Sequence, residues 1–73
     1  MIIFEEKMFN VNSVTFAEII DHFNPKKEYS NSVLKVYLVP GTYIIDYLDF
    51  TYSSHQTAIS KLNELKDAIN ACQ

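Results

Sequence analysis

The side chains best able to do chemistry in this chain are His22, His55 and Cys72, the three soft or borderline metal ligands. His55 and Cys72 fall at opposite ends of one amphipathic segment, about 25 Å apart at ~1.5 Å per helical residue. They cannot share an ion within one chain. Asp21 and His22 are neighbours that point in different directions, and His22 reads as a solvent-facing residue near a helix C-terminus. No metal site is expected.

Nucleophilic catalysis needs a nucleophile, a base and an orienting group that converge. Ser53, Ser54 and His55 are contiguous, but these are the residue types that a helix start requires anyway. Cys72 lies on an apolar seam close to the end of that helix, without the electropositive surroundings that activate a thiol. Asp46 and Asp49 are three apart in a strand and so project from opposite faces. Gly41 is the single glycine and belongs to a turn, which leaves nothing to build a phosphate loop. The sequence therefore reads as a non-enzyme that carries no cofactor.

Bulk properties narrow the partners. The chain has 73 residues and a net charge of −3, and every basic residue is a lysine. Nucleic-acid binders gather Lys and Arg on one face, whereas the one adjacent basic pair here is Lys26-Lys27, so direct nucleic-acid binding is not expected. The nine acidic residues are scattered and partly matched by six lysines, unlike the dense carboxylate arrays of a nucleic-acid mimic. No apolar run approaches the roughly 18 residues of a membrane span. The opening Met1-Ile2-Ile3-Phe4-Glu5-Glu6 reverses the charge order of a signal peptide. One cysteine allows no intrachain disulfide. A cytoplasmic protein is expected. Preference for Asn, Ile, Lys and Tyr suits an AT-rich coding genome, bacterial or viral. A single domain of this length buries a marginal core, so a homodimer is the simplest source of added stability.

The elements that position these residues follow from periodicity. Residues 2–11 read as extended, with Glu5-Glu6-Lys7 interrupting both faces, which implies a bulge or two short strands. Thr15-Phe16-Ala17-Glu18 fits a capping box, with Ser13 as the rival cap. Phe16, Ile19, Ile20 and Phe23 then recur at helical spacing, and Asn24-Pro25 stops the helix before a polar loop from Pro25 to Ser32.

Val33–Val39 and Thr42–Tyr52, joined by Pro40-Gly41, predict a β-hairpin rich in β-branched and aromatic residues. Pro-Gly favours a type II turn, whose twist mismatches a tight hairpin, so the loop can exceed two residues. With Val39 facing Thr42, Lys35 lies opposite Asp46. One face then carries Leu34, Val36, Leu38, Tyr43, Ile45 and Tyr47, and the other carries Lys35, Tyr37, Val39, Ile44, Asp46, Leu48, Phe50 and Tyr52, with Val33 at its end. A last helix is expected from Ser54 to Ala71, opened by the box Ser53-Ser54-His55-Gln56. Ala58, Leu62, Leu65, Ile69 and Cys72 form its seam, widened by Ile59 and Ala68.

The predicted fold is α+β: a small three-stranded, mostly antiparallel sheet with two helices packed on one face, in the order β-α-β-β-α. The second face is then uncovered, and Lys35, Tyr37, Val39, Ile44, Asp46, Leu48, Phe50 and Tyr52 become the expected interface with another protein or with a second copy. The function expected is a small soluble protein-interaction module, of the kind a phage or mobile element uses to bind and inhibit a host defence protein. The alternative is an oligomer that holds a small ligand or nucleotide between subunits.

Overall fold

The computed structural model describes residues 1–24, 29–41 and 45–72. The chain is α+β, and its elements run β1 (Ile2–Phe4), β2 (Lys7–Phe9), a 3-10 turn (Val11–Ser13), β3 (Val14–Asn24), β4 (Tyr29–Leu38), β5 (Tyr47–Tyr52) and α1 (His55–Ala71). Strands β3, β4 and β5 make an antiparallel meander in that spatial order, and β1 and β2 form a separate hairpin.

The extended N-terminal segment resolves into two short strands. Ile2 pairs with Phe9 and Phe4 with Lys7, which buries Ile2, Phe4 and Phe9 on one side of the hairpin. The connecting Glu5 and Glu6 adopt φ values of 51° and 66°. This left-handed pair matches the twist of a two-residue hairpin but costs a residue with a Cβ about 1 kcal/mol. Lys61 of α1 compensates at one position, since its Nζ lies 3.1 Å from the Glu5 carboxylate and 3.0 Å from that of Glu64. Those two carboxylates, Glu64 first, push the lysine pKa up to about 12. Glu6 has no such role, so Glu6→Gly is expected to stabilise the fold by about 0.5–1 kcal/mol, read as a rise in Tm of several degrees.

The largest departure from expectation is the second element. The predicted helix at Thr15–Phe23 is strand β3, so the described residues contain one α-helix and the order β-α-β-β-α does not hold. Val14, Thr15, Phe16, Ile19, Ile20 and Phe23 are β-branched or aromatic and favour strand over helix. A ladder from Phe16↔Tyr37 to Asn24↔Tyr29 then decides the matter by satisfying the backbone against β4. The supposed cap does other work: the Thr15 hydroxyl donates to the Tyr37 carbonyl at 3.3 Å, and Glu18 accepts from the Tyr37 hydroxyl at 3.1 Å. The apparent helical stripe is split by the strand, with Phe16 and Ile20 on one face and Ile19 and Phe23 on the other. Of the expected loop from Pro25 to Ser32, residues 25–28 lie outside the described residues, and Tyr29 to Ser32 belong to β4, with Ser32 buried.

Helix α1 begins one residue later than predicted. Ser54 is its cap, with its side chain accepting from the Thr57 backbone N–H at 3.1 Å. Most of its seam packs as read: Ala58 and Leu65 are buried, and Leu62, Ala68 and Ile69 are partly buried against the core, whereas Ile59, expected to widen the seam, is exposed. Cys72 is exposed, its Sγ 4.0 Å from the Met1 carbonyl. The helix and the N-terminal hairpin share one face of the sheet. Leu34, Val36, Leu38 and Phe50 meet Ile2, Phe4, Phe9, Val11 and Leu65 there.

Candidate interaction surface

The outer face of the sheet is built by strand parity. Phe16, Tyr37 and Tyr47 form one cross-strand row, Glu18, Lys35 and Asp49 the next, and Ile20, Val33 and Thr51 a third. Helix α1 and the β1–β2 hairpin occupy the other face, so among the described residues no element covers this one. Phe16 and Tyr47 are about half exposed, at 54% and 47%.

The geometry there is ordered by contacts within the face. The Lys35 ammonium lies 4.1 Å from the Tyr47 ring centroid and 5.6 Å from that of Tyr37, a cation held between two aromatic faces. Phe16 and Tyr37 meet at 5.5 Å between centroids, with planes tilted by 41°. Partial burial, and then the hydrogen bond to Glu18, raise the Tyr37 pKa. Lys35 has Glu18 and Asp49 directly across its two neighbours, so the charged row presents two carboxylates around one ammonium.

The expected interface residues divide. Lys35 and Tyr37 lie on the open face as predicted. Val39 is exposed beyond the end of β4, and Asp46 is exposed in the connection, where its carbonyl accepts from Leu38 N–H at 2.8 Å. Ile44, with Thr42 and Tyr43, lies outside the described residues. Leu48, Phe50 and Tyr52 are placed on the opposite face and so do not belong to the surface. Phe50 is 8% exposed and packs edge-on against Phe4, with centroids 5.2 Å apart and planes at 90°. Leu48 is half-buried against the core. Tyr52 is half-buried with a hydroxyl that meets no hydrogen-bond partner, and burial, then nearby Glu5, push its pKa up to about 12.

One register error accounts for these three corrections. Lys35 pairs with Asp49 rather than Asp46, a shift of three residues. An odd shift exchanges the faces of a strand, so every β5 side chain moves to the opposite side while β4 stays as predicted. The cause is the turn: Gly41 takes φ +85°, and β5 begins only at Tyr47, so the connection exceeds a two-residue loop. Phe16, Glu18, Tyr47 and Asp49 are the surface residues the sequence reading missed. A signal was present, since Asp49 offers Lys35 the same opposite-charge pair as Asp46 does. The period-two series Phe16, Glu18, Ile20, His22 likewise marks a strand face.

At the helix end of the sheet, Asp21 collects two donors. The Ser32 hydroxyl donates to Asp21 Oδ1 at 2.5 Å, and His55 Nδ1 lies 2.7 Å from the same oxygen. The residue types resemble those of a hydrolase, but the order does not. A nucleophilic serine must touch the base, whereas here the carboxylate lies between them and Ser32 is 2% exposed. The cluster instead fastens the first turn of α1 to β3. His22, expected at a helix end, projects from the outer face of β3, opposite in direction to Asp21. Among the described residues no three His, Cys, Asp or Glu side chains gather to hold a metal.

The hydrogen bond from Ser32, followed by that from His55, holds the Asp21 carboxyl below its ordinary pKa. A carboxylate whose pKa is depressed on folding contributes stability above its unfolded pKa and loses it as pH falls through the folded value. The stability difference between the wild type and Asp21→Asn is therefore expected to be full near neutrality and to shrink below about pH 4. Urea titrations of both proteins between pH 7 and pH 2 measure it, and a difference independent of pH would contradict the assignment.

Among known proteins, no family model, no curated protein and no solved structure matches the chain. No described helix is long and apolar enough to cross a membrane.

Proposed function

We propose that this chain is a small, non-catalytic protein-interaction module that binds another protein through the outer face of its sheet. The observation that carries the reading is the aromatic row Phe16, Tyr37 and Tyr47 on an uncovered sheet face, with Lys35 clasped between the two tyrosines. Aromatic side chains supply contact area at low entropic cost, and those already held by neighbours lose little freedom on binding. The two carboxylates around Lys35 select a partner surface that brings apolar groups to the aromatic row and a basic side chain to Glu18 or Asp49. A cytoplasmic accessory factor of a virus or mobile element, acting as an inhibitor of a host protein, fits the size and coding bias.

The test is capture from a host lysate with the wild type and Tyr47→Ala side by side. Tyr47 is about half exposed, so its truncation leaves the fold intact, and a central aromatic anchor costs about 2 kcal/mol or more in affinity when lost. A protein retained by the wild type and lost from the variant is the expected result. A partner held equally by both would remove the outer face from the reading.

A further inference from the structure

Strand β3 is an edge strand of eleven residues, and no described strand pairs with its outer side. Long unprotected edges invite pairing with another chain. The ladder shows which backbone groups are free. Leu38 N–H bonds to Asp46 of the β5 side and Val39 N–H to Ser13 of the β3 side, so odd residues of β4 address β3. Their partners Phe16, Glu18, Ile20 and His22 are thereby engaged, and Ala17, Ile19, Asp21 and Phe23 turn their N–H and C=O groups outward.

Beside this edge runs a largely apolar groove of about 430 Å³ between β3 and α1, lined by Val14, Ala17, Leu62, Leu65 and Ile69, with Lys66 as its one charged lining residue. At the other end of the same strand, Phe23 is 69% exposed, on the same side of the sheet as Ala17. The edge is thus self-complementary: it carries an apolar groove at one end and an unburied aromatic side chain at the other.

We propose that two copies of the chain pair β3 against β3 in antiparallel fashion about a twofold axis through Ile20, forming one six-stranded sheet. In this register Ala17 and the partner's Phe23 form a hydrogen-bonded pair, as do Ile19 and the partner's Asp21, so all the outward backbone groups meet their own kind. The partner's Phe23 enters the groove over Ala17. On the outer face, Glu18 meets the partner's His22, a carboxylate opposite a ring that can donate, and Ile20 meets its own copy. A second copy is the fitting occupant because each half supplies what the other lacks, and a 73-residue domain gains the burial its small core cannot provide. This pairing uses the sheet edge and does not depend on the reading of the sheet face.

The register is tested by cysteine scanning in a Cys72→Ser background. Ile20 faces itself in a non-hydrogen-bonded pair, where Cα atoms lie about 4.5 Å apart, within disulfide range. Ile20→Cys is expected to form a covalent dimer on mild oxidation, and Ile19→Cys is not; cross-linking at 19 in place of 20 would overturn the register. Light scattering of the wild type should give twice the 8.5 kDa chain mass. Phe23→Lys should weaken the dimer by about a hundredfold, the loss expected when the ring is replaced by a charge in a largely apolar groove whose one charged lining residue, Lys66, has the same sign, with its circular dichroism unchanged. Tyr47→Ala, which tests the outer face, should leave the dimer intact. A strict monomer at high concentration, or a dimer indifferent to Phe23→Lys, overturns the proposal.

Discussion

Phe50→Ala is expected to lower the unfolding free energy by about 3–5 kcal/mol, the usual cost of deleting a buried phenylalanine. A domain of this length holds only about 4–11 kcal/mol in total, so the variant should be largely unfolded well below the wild-type midpoint in urea. The reason is local. Phe50 is buried at the centre of the helix-facing side, edge-on to Phe4 and opposite Leu34, which is fully buried. Its loss opens a void between the sheet and the N-terminal hairpin at once. Tyr47→Ala removes a ring from the same strand, yet it should cost under about 1 kcal/mol, because that ring faces solvent. The pair of measurements reads the β5 register directly. Equal effects, or a larger effect at Tyr47, would reverse the assignment of faces.

The second large effect concerns the backbone of β3. Glu18→Pro is expected to cost about 3 kcal/mol or more, since Glu18 directs its N–H into the ladder opposite Lys35 and proline cannot donate it. Ala17→Pro, one residue away, removes an N–H that points off the edge, and edge strands accept proline in that position. It should cost far less in a dilute, monomeric sample. Concentrated samples should show the additional loss of the β3–β3 pair. Denaturation with urea at low and high protein concentration separates the two contributions. In a helix capped at Thr15 both positions would lie in the first turn, whose N–H groups have no intrahelical partner, and both substitutions would cost little. Similar losses at 17 and 18 would therefore contradict the strand.

These two predictions fall on the positions where local patterns and tertiary structure diverge. From Thr15 to Phe23 the helical signals were all present: a cap, a stripe and a terminating Asn-Pro. Each is a local feature worth about 1 kcal/mol or less, and the stripe consists of residues that resist a helix. Pairing with the ten residues of β4 outweighed them, and no window confined to residues 15–23 contains that information. The second failure was smaller in sequence and larger in consequence. A register shift of three residues between β4 and β5 exchanged the faces of β5 and moved Leu48, Phe50 and Tyr52 from the proposed surface into the helix-facing layer.

Where long-range pairing was not needed, reading the residues sufficed. Helix α1 was legible because its four-three seam from Ala58 to Ile69 is continuous and carries Ser54 ahead of it. The alternation of β4 was legible for a similar reason. Leu34, Val36 and Leu38 are apolar and every second residue, so burial of that set leaves Lys35 and Tyr37 outside whichever strand lies beside them. The absence of a glycine loop follows from composition alone. Partner strand, register and the convergence of Asp21 with Ser32 and His55 belong to a different class. They join residues far apart in the chain, and they depend on which of several energetically close pairings buries the most apolar surface while leaving no backbone group unpaired.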